Sequence, residues 1–410
     1  MADQYVADGV LFLRSLNIRP FGLDLSDVKY VSPEFHATIK KSELEEGDVV
    51  IVRTGRPGTC AVIPKGLGLV NCSDLVIVRC GPKLRPHFLC YWVNAMAGHH
   101  VRAHAVGAVQ QHFNVGSAKQ IELPIPSLKD QDLVLGVLRS LDDRIDNLRE
   151  TNATLEAIAQ ALFKSWFVDF DPVRAKVEGR EPEGMDAATA ALFPDQFEDS
   201  ELGPIPNGWA MGTVGDSAVL NAAKWTVRKH PNSVKYVDLS GVSRNRIETC
   251  IEFDFDAAPS RARNHLREGD TIVGTVRPGN RAYAYIHEPE ENLTGSTGFA
   301  VLSPNKPCLS SFVYLASTSD GAIDRLANLA DGAAYPAVRP SVVADTPCIL
   351  PSSSVLETFA QIATPVLEKI AKNNARAGAL VALRDTLLPR LISGKLRLPE
   401  AEQEGESATA

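Results

Sequence analysis

The 410-residue chain has a net charge of −8 at pH 7, and hydrophobic residues make up 44% of it. This length favours two or three domains. No apolar run reaches the roughly 18–20 residues that a transmembrane helix needs, and the N-terminus lacks the basic and apolar pattern of a signal peptide, so we expect a cytoplasmic protein without a membrane span.

The first predicted domain, residues 1–132, is β-rich. Within it, EEGDVVIVRTGRPG (Glu45–Gly58) places Gly-Asp before a β-branched run and Pro-Gly after it, which predicts a turn, a strand and a second turn. Basic and acidic residues nearly balance in this domain. Binding to nucleic acid is therefore not excluded by its charge.

A long helix is predicted over residues 133–172. Its apolar residues recur at alternating steps of four and three, which is typical of a heptad seam that packs on a second helix. One Asn interrupts the seam and would fix the register of the pair. The predicted seam residues of this helix are Leu138, Leu141, Ile145, Leu148, Asn152, Leu155, Leu162 and Trp166.

The stretch 173–202 is rich in acidic residues, Pro, Gly and Ala, and we expect it to be a connector with at most a short helical turn. Residues 133–202 together hold 15 acidic and 7 basic residues, which accounts for a net charge of −8. The acidic character of the chain is thus confined to its centre, which is expected to face protein or solvent and not phosphate.

The second predicted domain, residues 203–352, repeats features of the first. REGDTIVGTVRPG (Arg267–Gly279) nearly matches the earlier motif about 220 residues before it, and YVDLSGV (Tyr236–Val242) corresponds in position to FLRSLNI (Phe12–Ile18). This spacing is too long for a solenoid repeat and indicates a duplicated domain. The opening stretch, residues 203–220, has no counterpart in the first copy, so the first domain is expected to be shorter at its front or to be completed by the other end of the chain.

A second helix is predicted over residues 353–394, followed by a disordered tail over 395–410. Its heptad pattern contains one Asn and one less regular step, and it most simply packs on the first helix. Each seam of roughly 33 residues would be about 50 Å long, which could hold the two β-rich domains a fixed distance apart. The predicted seam residues of this helix are Ile362, Val366, Ile370, Asn373, Leu380, Leu387 and Leu391.

Several of these stretches carry a resemblance to a known family. LDDRIDNLRETNATLEAIAQALFKSWFVDFDPV (Leu141–Val173), LRDTLLPRLISGKL (Leu383–Leu396), NGW (Asn207–Trp209) and the two EGD…RPG strands resemble the shared regions of type I restriction–modification specificity (S) subunits. The resemblance covers almost the whole chain. It implies a mixed α+β fold, in which two similar β-rich target-recognition domains are separated by two long antiparallel coiled-coil helices with a pseudo-twofold internal repeat.

The resemblance also implies a function. A chain of this family would recognise a bipartite, asymmetric sequence in double-stranded DNA and recruit two methyltransferase (M) subunits and, in some systems, restriction (R) subunits. It would be a non-catalytic subunit without a cofactor. In agreement, the sequence has no NPPY-type motif, Walker loop or helicase box, and the histidines at 99, 100, 104 and 112 lack nearby acidic or cysteine ligands for a metal ion.

Candidate DNA contacts follow from side-chain chemistry. Arg and Lys favour guanine, Asn and Gln favour adenine, and Arg, Lys and small polar groups also bind phosphates. Because Arg56 and Arg277 belong to the shared RPG turn, they favour phosphate contact over base reading. The candidates in the first domain are Arg14, Asn17, Arg19, Arg53, Thr54, Arg56, Gln110, Gln111 and His112. Those in the second are Lys224, Arg228, Lys229, His230, Arg244, Arg246, Arg277, Asn280 and Arg281.

Two other functions are compatible with the same sequence. The duplicated domains could form a protein-interaction scaffold that binds no DNA, or the chain could be an inactive or exchangeable specificity cassette. The ordinary alternative for each candidate residue is a solvated surface side chain. Because both domains are close to neutral, we expect the chain alone to bind DNA weakly.

Overall fold

The computed structural model describes residues 2–103, 113–200, 203–332 and 335–396. The chain divides into two compact units, the first formed by residues 1–146 with 379–410 and the second by residues 147–378. A 40-residue helix, Leu128–Phe167, and a second of the same length, Ser353–Ile392, each contribute residues to both units.

The described part of the first unit combines short strands with helices of varied length. In chain order these elements are β1 (Tyr5–Val6), β2 (Val10–Leu13), β3 (Ile18–Arg19), β4 (Gly22–Leu23), β5 (Lys29–Val31), α1 (Pro33–Thr38), β6 (Glu43–Leu44), β7 (Val49–Val52), β8 (Cys60–Val62), β9 (Val70–Cys72), β10 (Leu75–Val78), α2 (Pro86–Ala103), α3 (Val115–Lys119) and α4 (Leu128–Phe167). The strands form a sheet with the order β1-β5-β2-β9-β6, a sheet with the order β10-β7-β8, and the hairpin β3-β4.

The described part of the second unit contains the remaining elements. They are α5 (Asp171–Val177), α6 (Ala187–Ala191), β11 (Phe197–Glu198), β12 (Ile205–Pro206), β13 (Ala210–Thr213), α7 (Val214–Ser217), β14 (Ala218–Leu220), β15 (Ser233–Val237), β16 (Val242–Ser243), β17 (Arg246–Ile247), β18 (Ile251–Asp254), β19 (Ala262–His265), β20 (Thr271–Gly274), β21 (Tyr283–Tyr285), β22 (Leu293–Ser296), β23 (Phe299–Pro304), α8 (Ser310–Thr318), α9 (Asp320–Asn328), α10 (Pro340–Ala344), β24 (Pro347–Leu350) and α11 (Ser353–Ile392).

The two units share one sheet topology. The order β5-β2-β9-β6 in the first unit corresponds to β18-β15-β22-β19 in the second, and β10-β7-β8 corresponds to β23-β20-β21. In both units the central pair of the larger sheet is parallel, β2 with β9 and β15 with β22, and the flanking pairs are antiparallel. The duplication read from the sequence is therefore confirmed, including the match between Phe12–Ile18 and Tyr236–Val242.

The repeated Gly-Asp motif makes the same turn in both units. Gly47 and Gly269 have φ of 85° and 78°, a conformation that favours glycine. The following aspartates are buried, and each accepts a hydrogen bond from a backbone N–H three residues earlier, 2.9 Å for Asp48 and 2.8 Å for Asp270. The turn then leads into a fully buried strand, β7 or β20.

The second unit has additional strands at its front. Strand β13 pairs antiparallel with β24, and β14 forms the edge of the smaller sheet beside β23. Among the described residues of the first unit, the stretch that precedes α4, residues 120–127, contains no strand. The extra opening stretch read from the sequence thus forms real secondary structure in the second unit.

The segment expected to be an acidic connector is more ordered than predicted. It contains α5 and α6, and β11 pairs with β12. Val173 and Phe193 are buried in the same apolar cluster as Trp166 and Trp209. Spaced apolar residues within the acidic stretch supply enough burial to fold it against the unit, which the overall composition did not reveal.

The long helices α4 and α11 pack antiparallel in the second unit. Near the C-terminal end of α4, Phe163 and Phe167 contact Phe359 near the N-terminal end of α11, with ring centroids 6.2 and 4.9 Å apart. Further along both helices, Asn152 contacts Asn373. Since residue numbers rise along one helix as they fall along the other, the chains run in opposite directions.

The seam of α4 is buried or half-buried at every predicted position. In α11 the predicted residues Ile370, Asn373, Leu380, Leu387 and Leu391 are buried and Val366 is half-buried. Ile362 is a correction, because its side chain is 44% exposed. The seam instead steps by four from Phe359 to Ala363, which is 1% exposed, and by four again to Leu367. Within the described residues, no helix combines the length and apolarity required to cross a membrane.

Candidate nucleic-acid interface

Candidate residues from two separate stretches of the first unit line one cleft. Residues 15–19, the loop 24–27 and residues 54–56 enclose about 480 Å³. The hairpin β3-β4 brings Asn17 and Arg19 to this cleft, and the turn after β7 brings Thr54 and Arg56. The structure therefore places together candidates that lie about 35–40 residues apart in the sequence.

Asn17 and a further candidate, Arg14, hold the loop 24–27 in place. Asn17 is 2% exposed. Its amide donates hydrogen bonds to the carbonyl oxygens of Asp24 (3.0 Å) and Asp27 (2.9 Å), and its Oδ1 accepts one from the backbone N–H of Arg14. The Arg14 guanidinium in turn binds the Asp27 carboxylate at 3.0 Å. Both side chains are thus occupied in holding the cleft wall.

Arg19 has a carboxylate partner as well. It binds Asp24 at 2.7 Å, and hydrogen bonds from Ser26 and Arg19 lower the pKa of Asp24 to about 2. The Asp24 carboxylate therefore stays ionised at neutral pH. A phosphate would have to compete with this carboxylate for Arg19.

The turn after β7 contains another exposed cation of this cleft. Thr54 donates a hydrogen bond to Asp74 at 2.9 Å, and the Arg53 carbonyl accepts one from the backbone N–H of Phe113. The Nε of Arg53 is buried without a hydrogen-bond partner among the described residues. Arg56 is exposed, and no described residue forms an ion pair with it. The candidates Gln110, Gln111 and His112 lie outside the described residues, as do His104 and the side chains of His99 and His100.

In the second unit, the candidates of residues 224–230 form a hairpin, here called the basic hairpin. The backbone N–H groups of Thr226 and Lys229 each donate to the other residue's carbonyl, at 3.0 and 3.1 Å. This pairing leaves Val227 and Arg228 as a two-residue tip. Lys224, Arg228, Lys229 and His230 are all exposed, and no described residue forms an ion pair with the three cations of this set. The hairpin thus offers positive charge to a ligand.

Most of the other candidate arginines of the second unit contact an acidic or aromatic side chain. Arg246 pairs with Glu248, and Arg281 binds Asp320 at 2.5 Å. The Arg277 guanidinium lies 5.0 Å from the ring centroid of Tyr335, a cation–π arrangement. Tyr335 is 73% exposed, so this pair presents both an aromatic face and a cation to solvent. Asn280 and Arg244 are exposed.

Asn245, which lies between two candidate arginines, is buried instead. Arg244 and Asn245 both have positive φ, 42° and 61°, and this turn directs the Asn245 amide onto helix α4. Its Nδ2 donates to Glu156 at 3.0 Å, its Oδ1 accepts from the Tyr285 N–H at 2.9 Å, and its carbonyl accepts from Asn374 of α11 at 2.8 Å. One residue thus ties the hairpin β16-β17 to both long helices.

Each unit has a tyrosine that donates to a carboxylate of α4. In the second unit the Tyr314 hydroxyl donates to Glu156 at 2.7 Å, and burial raises the pKa of that carboxyl while the hydrogen bonds to it act in the opposite direction. In the first unit Tyr91 donates to Asp142, which also accepts from Arg384 of α11 at 2.7 Å. None of these residues carries a sequence signal that distinguishes it, because each partner lies dozens to hundreds of residues away.

Comparisons with known proteins identify two sequence relatives. The chain is 24% identical over 326 residues to the type I restriction enzyme HindI specificity subunit of Haemophilus influenzae. This alignment covers 68% of this chain and 70% of the relative. It is also 24% identical over 306 residues to the type I restriction enzyme MjaIX specificity subunit of Methanocaldococcus jannaschii, over 72% of this chain. The chain is a homologue of type I specificity subunits.

The sequence alignments cover only part of each relative. The aligned region spans 65% of the length of the MjaIX specificity subunit, and no protein-family model matches the chain. Among solved structures, the chain is similar to the type I restriction–modification S subunit of M. genitalium, with a TM-score of 0.49, 15% identity, and coverage of 95% of this chain and 91% of that one. The homology to specificity subunits rests on the two sequence relatives.

Proposed function

We propose that the chain is the DNA sequence-recognition subunit of a type I restriction–modification complex. In this function each unit's β-rich domain reads one half of a bipartite, asymmetric target. The chain recruits methyltransferase subunits, and in a restricting complex also restriction subunits, and contributes no catalytic group itself. The acidic segment, residues 133–202, and the two long helices contact partner proteins and not DNA.

The observation that carries this proposal is the repeated topology with different surface residues. The two domains share their strand order, their parallel central pair and their Gly-Asp turn. Their surfaces differ, however, since the second presents the basic hairpin, and the shared turn places Arg56 beside a cleft in the first but Arg277 beside the Tyr335 ring in the second. Two copies of one scaffold with unlike surfaces suit a target whose halves differ in sequence.

The known relatives support the same function. Both matched proteins are named specificity subunits of type I restriction enzymes. By analogy, the two β-rich domains of this chain would recognise the DNA sequence, and partner subunits would carry out the methylation. A protein-interaction scaffold would not require unpaired cations on either domain.

The experiment that tests the proposal is co-expression of the chain with the subunits of a type I methyltransferase, followed by sequencing of methylated adenines in the host DNA. We expect methylation at one bipartite motif with two defined ends and unread bases between them. Omitting the chain is the control and should abolish the motif. Methylation that is independent of the chain, or a stable complex that methylates no defined sequence, would contradict the proposal and favour the scaffold.

A second measurement addresses the contribution of the partners. Since each β-rich domain is close to neutral in sequence, few phosphates are neutralised by the isolated chain, and affinity for DNA rises with the number of phosphates neutralised. We expect weak binding in a gel-shift titration of the chain alone and much tighter binding after methyltransferase subunits are added. Tight binding by the chain alone at moderate salt would show that it needs no added positive surface.

A further inference from the structure

The tip of the basic hairpin presents an apolar residue in a cationic setting. Val227 is 89% exposed, and it stands between Lys224 on one arm of the hairpin and Arg228 and Lys229 beside it. A single exposed valine is common on protein surfaces. Its position at the tip of a projecting hairpin, among cations that have no described carboxylate partner, is what favours a contact with a ligand.

The first arm of the hairpin is held in place by an aromatic stack. The Trp225 ring lies on His265 of β19 with centroids 4.1 Å apart, and its indole N–H donates to Thr294 at 2.8 Å. The backbone N–H of Trp225 also donates to the Arg263 carbonyl at 2.8 Å. This arm is therefore attached to the larger sheet through both its side chain and its backbone.

The second arm is held by another stack. His230 lies on Phe255 with centroids 3.8 Å apart and rings only 10° from parallel, and the guanidinium of Arg263 lies 5.0 Å from the centroid of the same ring. The backbone N–H of Phe255 donates to the Asn232 carbonyl at 2.9 Å. With both arms anchored, the tip loses little conformational freedom on binding, and β-branched Val227 has few side-chain rotamers to lose.

We propose that Val227 contacts the 5-methyl group of one thymine in the major groove, while Arg228 and Lys229 bind the flanking phosphates. This rests on the proposed function as a DNA-reading subunit. It assigns base reading in the second domain to an apolar residue, and it gives Trp225 and His230 a positioning function within the hairpin.

The geometry favours the major groove. That groove admits a two-stranded ribbon, and the thymine methyl is the apolar group that its floor presents to a protein. Side chains that wedge between base pairs from the minor groove are typically larger, such as Phe, Leu, Ile or Met. Valine at a narrow two-residue tip fits contact with a methyl group better than insertion into a base stack.

The test removes the methyl group from the DNA and its partner from the protein. Once methylation mapping has identified the target, each thymine of the target duplex is replaced in turn by deoxyuridine, and binding of the chain–methyltransferase complex is measured by fluorescence anisotropy. We expect one such replacement to weaken binding about fourfold, the factor that corresponds to burying one methyl group. With Val227→Ser, which removes both γ-methyl groups and leaves a small hydroxyl side chain, the same replacement should have less than a twofold effect.

The matched control is Val219→Ser, the same change at a position of β14 that is 53% exposed and outside the hairpin. It should behave as the unmodified complex, and equal thermal unfolding midpoints will show that both variants fold. Arg228→Ala should weaken binding to all sequences alike and lower the salt dependence by about one phosphate contact.

The outcomes separate this proposal from the proposed function. If the complex methylates a defined motif but deoxyuridine affects the unmodified and Val227→Ser complexes equally at every position, the thymine contact is wrong and the reading function stands. If the unmodified complex shows no sequence preference, the proposed function fails, and the thymine contact fails with it.

Discussion

Asn152 and Asn373 face each other between the two long helices, where Nδ2 of Asn373 donates to Oδ1 of Asn152 at 2.8 Å. Both side chains are at least nine-tenths buried. The Asn152 amide is satisfied in turn by the Ile370 carbonyl at 3.1 Å and by Oδ1 of Asn374 at 2.8 Å. The two polar interruptions that the heptad patterns show are therefore partners of one another, which fixes how the helices align.

This pairing predicts non-additive substitutions. Asn152→Ala or Asn373→Ala alone should lower the free energy of unfolding by about 1–3 kcal/mol, because each leaves a buried amide with an unsatisfied group. The double variant should cost clearly less than the sum of the two. Urea unfolding of the three variants measures this, with exposed Asn147→Ala of α4 as control, for which a change within about 0.5 kcal/mol is expected. Strictly additive losses would show that the amides do not interact.

The revised seam of α11 gives a second prediction. Phe359 is fully buried among Phe163, Trp166 and Phe167, so Phe359→Ala should lower the free energy of unfolding by about 3–5 kcal/mol. Ile362→Ala, three residues on, should cost under about 1 kcal/mol in the isolated chain, because its side chain is 44% exposed. Thermal or urea unfolding compares them directly, and a loss at Ile362 that equals the loss at Phe359 would restore it to the seam.

The error at Ile362 shows what a periodic pattern can and cannot establish. Apolar residues at steps of three and four predict two packed helices, and the helices, their Asn pair and most seam positions follow from that rule. Between Phe359 and Ile370 two sets of residues satisfy the same steps, one through Ile362 and Val366 and one through Ala363 and Leu367. The tertiary packing selects the second set, since Ala363 and Leu367 are buried in the same apolar cluster as Phe163 and Phe359.

The candidate DNA contacts were harder to predict for a related reason. Arg14 and Arg228 are equivalent as sequence letters, yet Arg14 binds Asp27 at 3.0 Å while Arg228 is exposed at a hairpin tip. Similarly, Asn245 lies between two candidate arginines, but its amide binds Glu156, which lies 89 residues earlier in the chain. Local composition reports available charge, whereas tertiary contacts decide which charges stay free.

The Glu156 carboxylate predicts a pH-dependent contribution to stability. Burial raises its pKa in the folded chain, against hydrogen bonds from Tyr314, Asn245 and Gln160. A carboxyl with a raised folded pKa binds its proton more tightly when folded than when unfolded, so its contribution to stability is greatest below the unfolded pKa and falls as pH rises through the raised value. Unfolding by urea between pH 4 and 7 should therefore show a decline that Glu156→Gln makes shallower.

The control for that experiment is Asp132→Asn on α4. Asp132 is exposed, and its ion pair with Arg85 lowers the pKa of its carboxyl. Its removal should not flatten the decline, because a depressed folded pKa gives stability that increases with pH. If the difference between the unmodified chain and Glu156→Gln is constant across this pH range, Glu156 does not titrate with a raised pKa.

Arg56 supplies the last prediction, for the first domain. It lies at the RPG turn beside the cleft, exposed and without an ion-pair partner among the described residues, which suits a phosphate contact more than base reading because the same turn occurs in both domains. Arg56→Ala in the methyltransferase complex should therefore weaken binding to target and non-target duplexes by the same factor and reduce the slope of log affinity against log salt by about one. The methylated motif should not change. Anisotropy titrations at several salt concentrations measure the slope, with Arg180→Ala as a control, an arginine that pairs with Glu178 outside the cleft. A change of motif at one base, with the slope intact, would instead identify Arg56 as a residue that reads a base.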